Sequence, residues 1–75
     1  MFEEIREVIS EQMEIDPVDI KPESTWEELK IDSLDIVDMI FTLEDQYDIE
    51  LPDGEMENVR TVGDLADLVR RKMQD

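Results

Sequence analysis

The sequence predicts an all-α chain, a small four-helix bundle with three long helices and one short one. Three observations carry this. Apolar residues recur at helical spacing in three separate stretches, one near each end and one in the middle. The prolines, Pro17, Pro22 and Pro52, all fall between those stretches, where a helix can be broken without loss. Strand-like alternation runs no longer than Ile49 to Leu51. With 75 residues the chain reads as a single domain over 1–75, near the lower limit for independent folding. Such a core leaves a stability margin of only about 3–5 kcal/mol.

The first helix is expected over residues 2–14. Phe2, Ile5, Val8, Ile9 and Met13 form its stripe, with Glu3, Glu4, Glu7, Glu11 and Glu14 opposite. Pro17 marks its exit, because proline disfavours helix in the residue before it. Residues 16–31 then make a long connection. Pro17 to Ile20 suits one helical turn, and Ser24 to Leu29, which opens on cap-type residues, suits another. Ile20, Trp26 and Leu29 are the expected anchors of this connection. Trp26 is read as a core residue.

The central helix is entered at Asp32, a good N-cap, with Asp35 at the capping-box position. Ile36, Ile40, Leu43 and Tyr47 fall on one narrow stripe that should face the core. Leu34, Val37 and Phe41 project roughly 100–160° away from it, in the same sector as Asp38, Glu44, Asp45 and Asp48. A helix that shows solvent large apolar groups ringed by carboxylates fits docking onto a basic, partly apolar protein. Ser33 lies in the first turn of this helix. Its hydroxyl is expected beside free backbone N–H groups and the positive end of the helix dipole, where a phosphate is stabilised.

Beyond it, Asp48 to Asp53 reads as an extended link whose Ile49 and Leu51 plug the bundle. Asp53 is expected to cap a short helix from Gly54 to Val59, with Met56 and Val59 turned inward. Gly54 weakens that helix by about 1 kcal/mol against alanine, which marks it as a natural lid. Thr61 is expected to cap the last helix with Asp64 three residues on, and Val62, Leu65, Ala66, Leu68, Val69 and Met73 to face the core. Arg70, Arg71 and Lys72 suit the negative end of its dipole.

Charge narrows the function classes. The net charge is -16, and every charged residue from Ile31 to Val59 is acidic. Such a field repels nucleic acid and anionic membranes and steers basic protein patches inward. No apolar run is long enough to span a membrane. The N-terminus, acidic and amphipathic, lacks the basic start and apolar centre of a signal peptide, so a cytoplasmic monomer is expected. Without histidine or cysteine the chain offers no ordinary catalytic triad, no imidazole or thiolate metal ligand and no disulfide. An EF-hand calcium loop starting at Asp32 fails, since Val37 stands where that loop needs glycine. No specific metal site is expected. Nothing near Ser33 would activate it as a nucleophile, so the chain reads as a substrate of enzymes and not as an enzyme.

The run Leu29-Lys30-Ile31-Asp32-Ser33-Leu34-Asp35-Ile36-Val37 resembles the modification site of acyl carrier proteins, where an Asp-Ser-Leu-Asp core opens the second helix. Leu43 to Asp53 resembles the end of that helix and its following loop, and Val59 to Leu65 the entry to the last helix. The likeness spans nearly the whole chain in order. One departure stands out: the family usually has glycine where this chain has Lys30. The resemblance implies a bundle of acyl-carrier-protein type and a carrier function. A phosphopantetheinyl transferase would attach 4′-phosphopantetheine, drawn from coenzyme A, to Ser33, flanked by Asp32 and Leu34 as the other cofactor-site residues. The arm would hold acyl intermediates as thioesters for fatty acid or related lipid or polyketide biosynthesis. The acyl chain would shelter among Ile36, Ile40, Leu43, Met56, Val59, Leu65 and Leu68. Acyl-transferring, condensing and reducing enzymes with basic patches would dock on Leu34, Asp35, Val37, Asp38, Phe41, Glu44, Asp45, Glu55 and Glu57. The alternative is an unmodified acidic interaction module that binds a basic partner through the same face.

Overall fold

A computed structural model describes residues 1–74 of the chain. It contains α1 (Phe2–Met13), α2 (Ser33–Tyr47), the short α3 (Asp53–Met56) and α4 (Val62–Gln74), with a 3-10 turn at Pro17–Asp19. Three long helices and one short one agree with the sequence. Among the described residues no helix is long and apolar enough to cross a membrane.

α1 ends at Glu14, which turns left-handed at φ 57 and returns its N–H to the Ser10 carbonyl. The Ser10 hydroxyl donates to the Ile15 carbonyl at 2.6 Å, folding the chain back at the exit. α1 packs on both α2 and α4. Ile5 and Ile9 of α1, Met39 and Leu43 of α2, and Val62, Leu65 and Val69 of α4 are wholly enclosed. Tyr47 closes the far end of α2, half-buried. Its burial lifts the phenol above the ordinary tyrosine range, Glu4 and Glu7 add to the shift, and a hydrogen bond with Gln46 opposes it.

Three expectations are corrected. The α2 stripe is centred on Met39 and Leu43, with Ile36, Ile40 and Tyr47 half-buried at its flank. Periodicity finds the stripe, but the direction from which α1 arrives decides which edge is covered. α3 is four residues long, capped by Pro52 and not by Asp53, which lies inside its first turn. The proline is already extended at ψ 153, and its carbonyl accepts from Glu55 and Met56 at 3.0 and 3.2 Å. Met73 is 47% exposed, because burial along α4 stops at Val69.

The long connection is held by burial and by stitching to α4. Ile20 and Ile31 are buried, while Trp26 and Leu29 pack half-buried on the core, so Ile31 joins the expected anchors. The Thr25 hydroxyl accepts from the Glu28 N–H at 3.2 Å, closing the turn that opens there. Buried Ser24 accepts from the Lys21 N–H through its hydroxyl and from the Val62 N–H through its carbonyl, both at 3.0 Å. The Gly63 N–H donates to the Pro22 carbonyl at 2.8 Å. A β-carbon on Gly63 would lie 2.9 Å from that carbonyl oxygen, so the close approach needs glycine. Thr61 and Asp64 form the expected capping box: the Asp64 N–H donates to the Thr61 hydroxyl at 3.1 Å, and the Thr61 N–H to the Asp64 carboxylate at 3.3 Å.

The excess of carboxylates sets a testable cost. Self-repulsion at net charge -16 should be relieved by screening. Raising the ionic strength, or adding millimolar magnesium, should stabilise the fold by about 1 kcal/mol, roughly 4–8 °C in Tm for a domain of this size. A thermal titration that leaves Tm flat would show that the carboxylates are too far apart to repel appreciably.

Candidate functional site

The site is the mouth of α2. Ile31, buried and hydrogen-bonded through its N–H to the Trp26 carbonyl at 2.9 Å, pins the chain just before the helix. Asp32 follows in extended conformation, at φ -88 and ψ 178, and its carboxylate accepts from the Asp35 N–H at 2.9 Å. Its carbonyl accepts from Ile36 at 3.0 Å and starts the helical ladder. The return half of the expected capping box, from the Asp35 carboxylate to the Asp32 N–H, is absent among the described residues. Ser33 is the first helical residue and is exposed, as is Leu34. Among the described residues no acceptor meets the N–H groups of Ser33 and Leu34. A fifteen-residue helix thus ends in two open donors beside an accessible hydroxyl. That suits a phosphodiester on Ser33 Oγ, whose charge the open N–H groups and the helix dipole would meet.

Lys30 sits in the left-handed region at φ 59, which explains why glycine would be favoured at this position. Lys30→Gly should stabilise the fold by roughly 0.5–1 kcal/mol: the left-handed penalty of about 1–2 kcal/mol is removed, less the freedom the unfolded chain gains. Denaturant unfolding checks this. An unchanged or lowered midpoint would mean that the lysine stem contributes packing worth more than the strain.

The expected docking flank is only partly assembled as read from sequence. Leu34, Val37 and Phe41 are 76%, 44% and 63% exposed, and Asp38 and Asp45 stand exposed among them. Asp35 is half-buried at the cap. Glu44 is committed elsewhere: its carboxylate accepts from the Leu51 N–H at 2.8 Å and fixes the link after α2. Glu57 is exposed, but Glu55 is bound by Lys72, whose ammonium lies 2.8 and 2.7 Å from its two carboxylate oxygens. Each engagement reaches out of its own helix, over seven and seventeen residues, and helical periodicity carries no signal for either.

Of the expected acyl-pocket residues, Leu43, Leu65 and Leu68 are buried, and Ile36, Ile40, Met56 and Val59 are half-buried against them. Val59 and Leu68 line an open groove of about 240 Å³ together with Glu55, Asn58, Asp64 and Arg71. The other five pack in or against the core and do not line this groove. Among the described residues no cluster of acids is arranged to hold a metal ion.

Comparison with known proteins agrees with this geometry. The phosphopantetheine attachment site family matches residues 3–69. The chain is similar to the acyl carrier protein of Clostridium acetobutylicum, with 41% identity over 76 residues covering 100% of this chain and 99% of that protein. It is similar also to that of Wolinella succinogenes, with 44% identity over 67 residues and 88% of each chain. The crystal structure of an acyl carrier protein from Thermotoga maritima superposes with a TM-score of 0.82 at 33% identity, over 96% of this chain and 85% of that one. With the fold, the helix mouth and relatives matched along almost their full length in agreement, the chain belongs to the acyl carrier protein family, whose members carry covalently attached phosphopantetheine.

Proposed function

We propose that this chain carries acyl intermediates on a 4′-phosphopantetheine arm esterified to Ser33 Oγ, and that it is itself no enzyme. One observation carries the choice of residue: the exposed Ser33 hydroxyl at the mouth of a long helix, beside two N–H groups without an acceptor. The arm supplies a terminal thiol, which this cysteine-free chain lacks, and with it a thioester bond to the cargo. In the transfer, Ser33 Oγ would form a bond to the pantetheine-side phosphorus of coenzyme A, the bond from that phosphorus to the bridging pyrophosphate oxygen would break to release adenosine 3′,5′-bisphosphate, and the hydroxyl proton would pass to a base of the transferase. The chain's own part is electrostatic and positional. Asp32 holds the first turn through the Asp35 N–H, and the open donors of Ser33 and Leu34 would meet the charge of a phosphodiester.

The partners are a phosphopantetheinyl transferase and the acyl-transferring, condensing and reducing enzymes of fatty acid or related lipid biosynthesis. The exposed patch of Leu34, Val37 and Phe41, edged by Asp38 and Asp45, fits basic docking surfaces with an apolar centre. The absence of histidine and cysteine supports a passive carrier, and a cytoplasmic monomer fits the acidic, membrane-repelling surface. The test is incubation with coenzyme A and a promiscuous phosphopantetheinyl transferase, read by intact mass. A gain of one phosphopantetheine is expected. Folded protein that gains nothing would instead be an unmodified acidic interaction module.

A further inference from the structure

α3 is too short to hold itself in place. It spans four residues, its cap makes no side-chain hydrogen bond, and it contains Gly54, around which there is open space. Met56 on it, and Val59 just beyond it, are only half-buried. What ties it to the bundle is a contact far along the chain. Lys72, in the last turn of α4, reaches Glu55 with its ammonium at 2.8 and 2.7 Å from the two carboxylate oxygens, and the two side chains are 26% and 41% exposed. Lys72 was expected to serve only the dipole of its own helix, and Glu55 only a visiting partner. The structure pairs them instead. Glu55 is also a wall of the groove of about 240 Å³ whose apolar lining is Val59 and Leu68.

We propose that the Glu55–Lys72 pair is a clamp across the α3–α4 groove, and that its opening governs how readily an acyl chain enters and leaves the space between Val59 and Leu68. The proposal rests on the carrier reading for its cargo, and on the geometry alone for the clamp. A paired Glu55 holds α3 against α4 and keeps the groove narrow. Release lets α3 move away from α4 and opens the groove, so that a sheltered chain leaves it more often. A basic partner that competes for Glu55 would release it by the same exchange of ion pairs. The chain would then be freed where it is to be used.

The unloaded protein gives the first measurement: amide hydrogen exchange at Glu57, Asn58 and Val59, whose N–H groups bond to Asp53, Glu55 and Met56 carbonyls. Lys72→Met and Glu55→Gln should each speed exchange there about fivefold, with the amides of α1 and α4 unchanged, as expected for local opening held by one partly exposed pair. The reversed double variant, Glu55→Lys with Lys72→Glu, should restore slow exchange. Single variants that leave α3 at wild-type rates, or that speed all helices alike, would overturn the clamp. The second measurement is cleavage of a medium-chain acyl thioester by hydroxylamine in loaded protein. It should run severalfold faster in both single variants and return toward wild type in the reversed pair, and equal rates in all four proteins would overturn the gating role. If Ser33 accepts no arm, the carrier reading fails at the loading step, and the exchange comparison still decides the clamp.

Discussion

Ser33→Ala is expected to gain no mass under conditions that convert the wild-type chain completely, and its thermal transition should stay where it was. The first half follows from how the other hydroxyls are engaged. Ser10 is tied to the Ile15 carbonyl. Ser24 is buried and accepts from Lys21. Thr25 and Thr61 are occupied as caps of their turns, and Thr42 donates to the Asp38 carbonyl. None stands free at the entrance of a long helix, so no second acceptor should substitute. The second half follows from exposure. The Ser33 side chain has no intramolecular partner among the described residues, and alanine is well tolerated in a helix, so the change in stability should lie within about 0.5 kcal/mol. Intact mass and a melting curve on the same sample check both halves. A residual mass gain in folded Ser33→Ala would move the attachment to another residue and sink the assignment.

The largest effect on stability is expected at Met39. Its side chain is wholly enclosed where α2 meets the bundle, and truncation to alanine should cost about 2–5 kcal/mol, transfer and cavity terms together. A core of this size has only about 3–5 kcal/mol to lose. Met39→Ala should therefore be largely unfolded at 25 °C, or should unfold early in denaturant with a shallow native baseline. Phe41→Ala is the natural control. Its ring is larger and lies two residues away, yet is 63% exposed, so its loss should be within about 0.5 kcal/mol. If Met39→Ala kept a wild-type midpoint in urea, the centre of the core would have to be moved to Ile36 and Ile40, where periodicity alone had placed it.

That contrast shows how far the sequence could be read. The helices, their order and two of their starts were legible, because the signals are local: Asp32 and Thr61 each cap a helix within four residues of their partners. The position of Ser33 at the start of α2 was legible for the same reason, as it is set by its immediate neighbours. The exposed patch of Leu34, Val37 and Phe41 was legible too, since residues facing away from a stripe need no knowledge of what the stripe meets. What escaped was set by distant parts of the chain. The arrival of α1 selects Met39 over Ile36. Leu51 draws Glu44 inward and Lys72 holds Glu55, so two of the expected docking acids are spent within the chain itself. The contact of Gly63 with Pro22 joins residues with no shared periodicity. Met73 follows the α4 pattern faithfully and is still exposed, because a pattern continues past the point where there is anything left to cover it. Pro52 took the cap from Asp53 because its backbone was already in the capping conformation.

The buried Ile31, two residues ahead of Ser33, has a mechanical consequence. With Ser33 as the proposed root, the tether would turn about a stationary pivot, since the backbone there is nailed down on one side by a core residue and on the other by the helix itself. The thiol's reach would then be the length of the prosthetic group and nothing more. On that proposal a visiting enzyme would have to place its own reaction centre at that radius, and the spacing between its mooring patch and its tunnel entrance would become the ruler by which it is admitted.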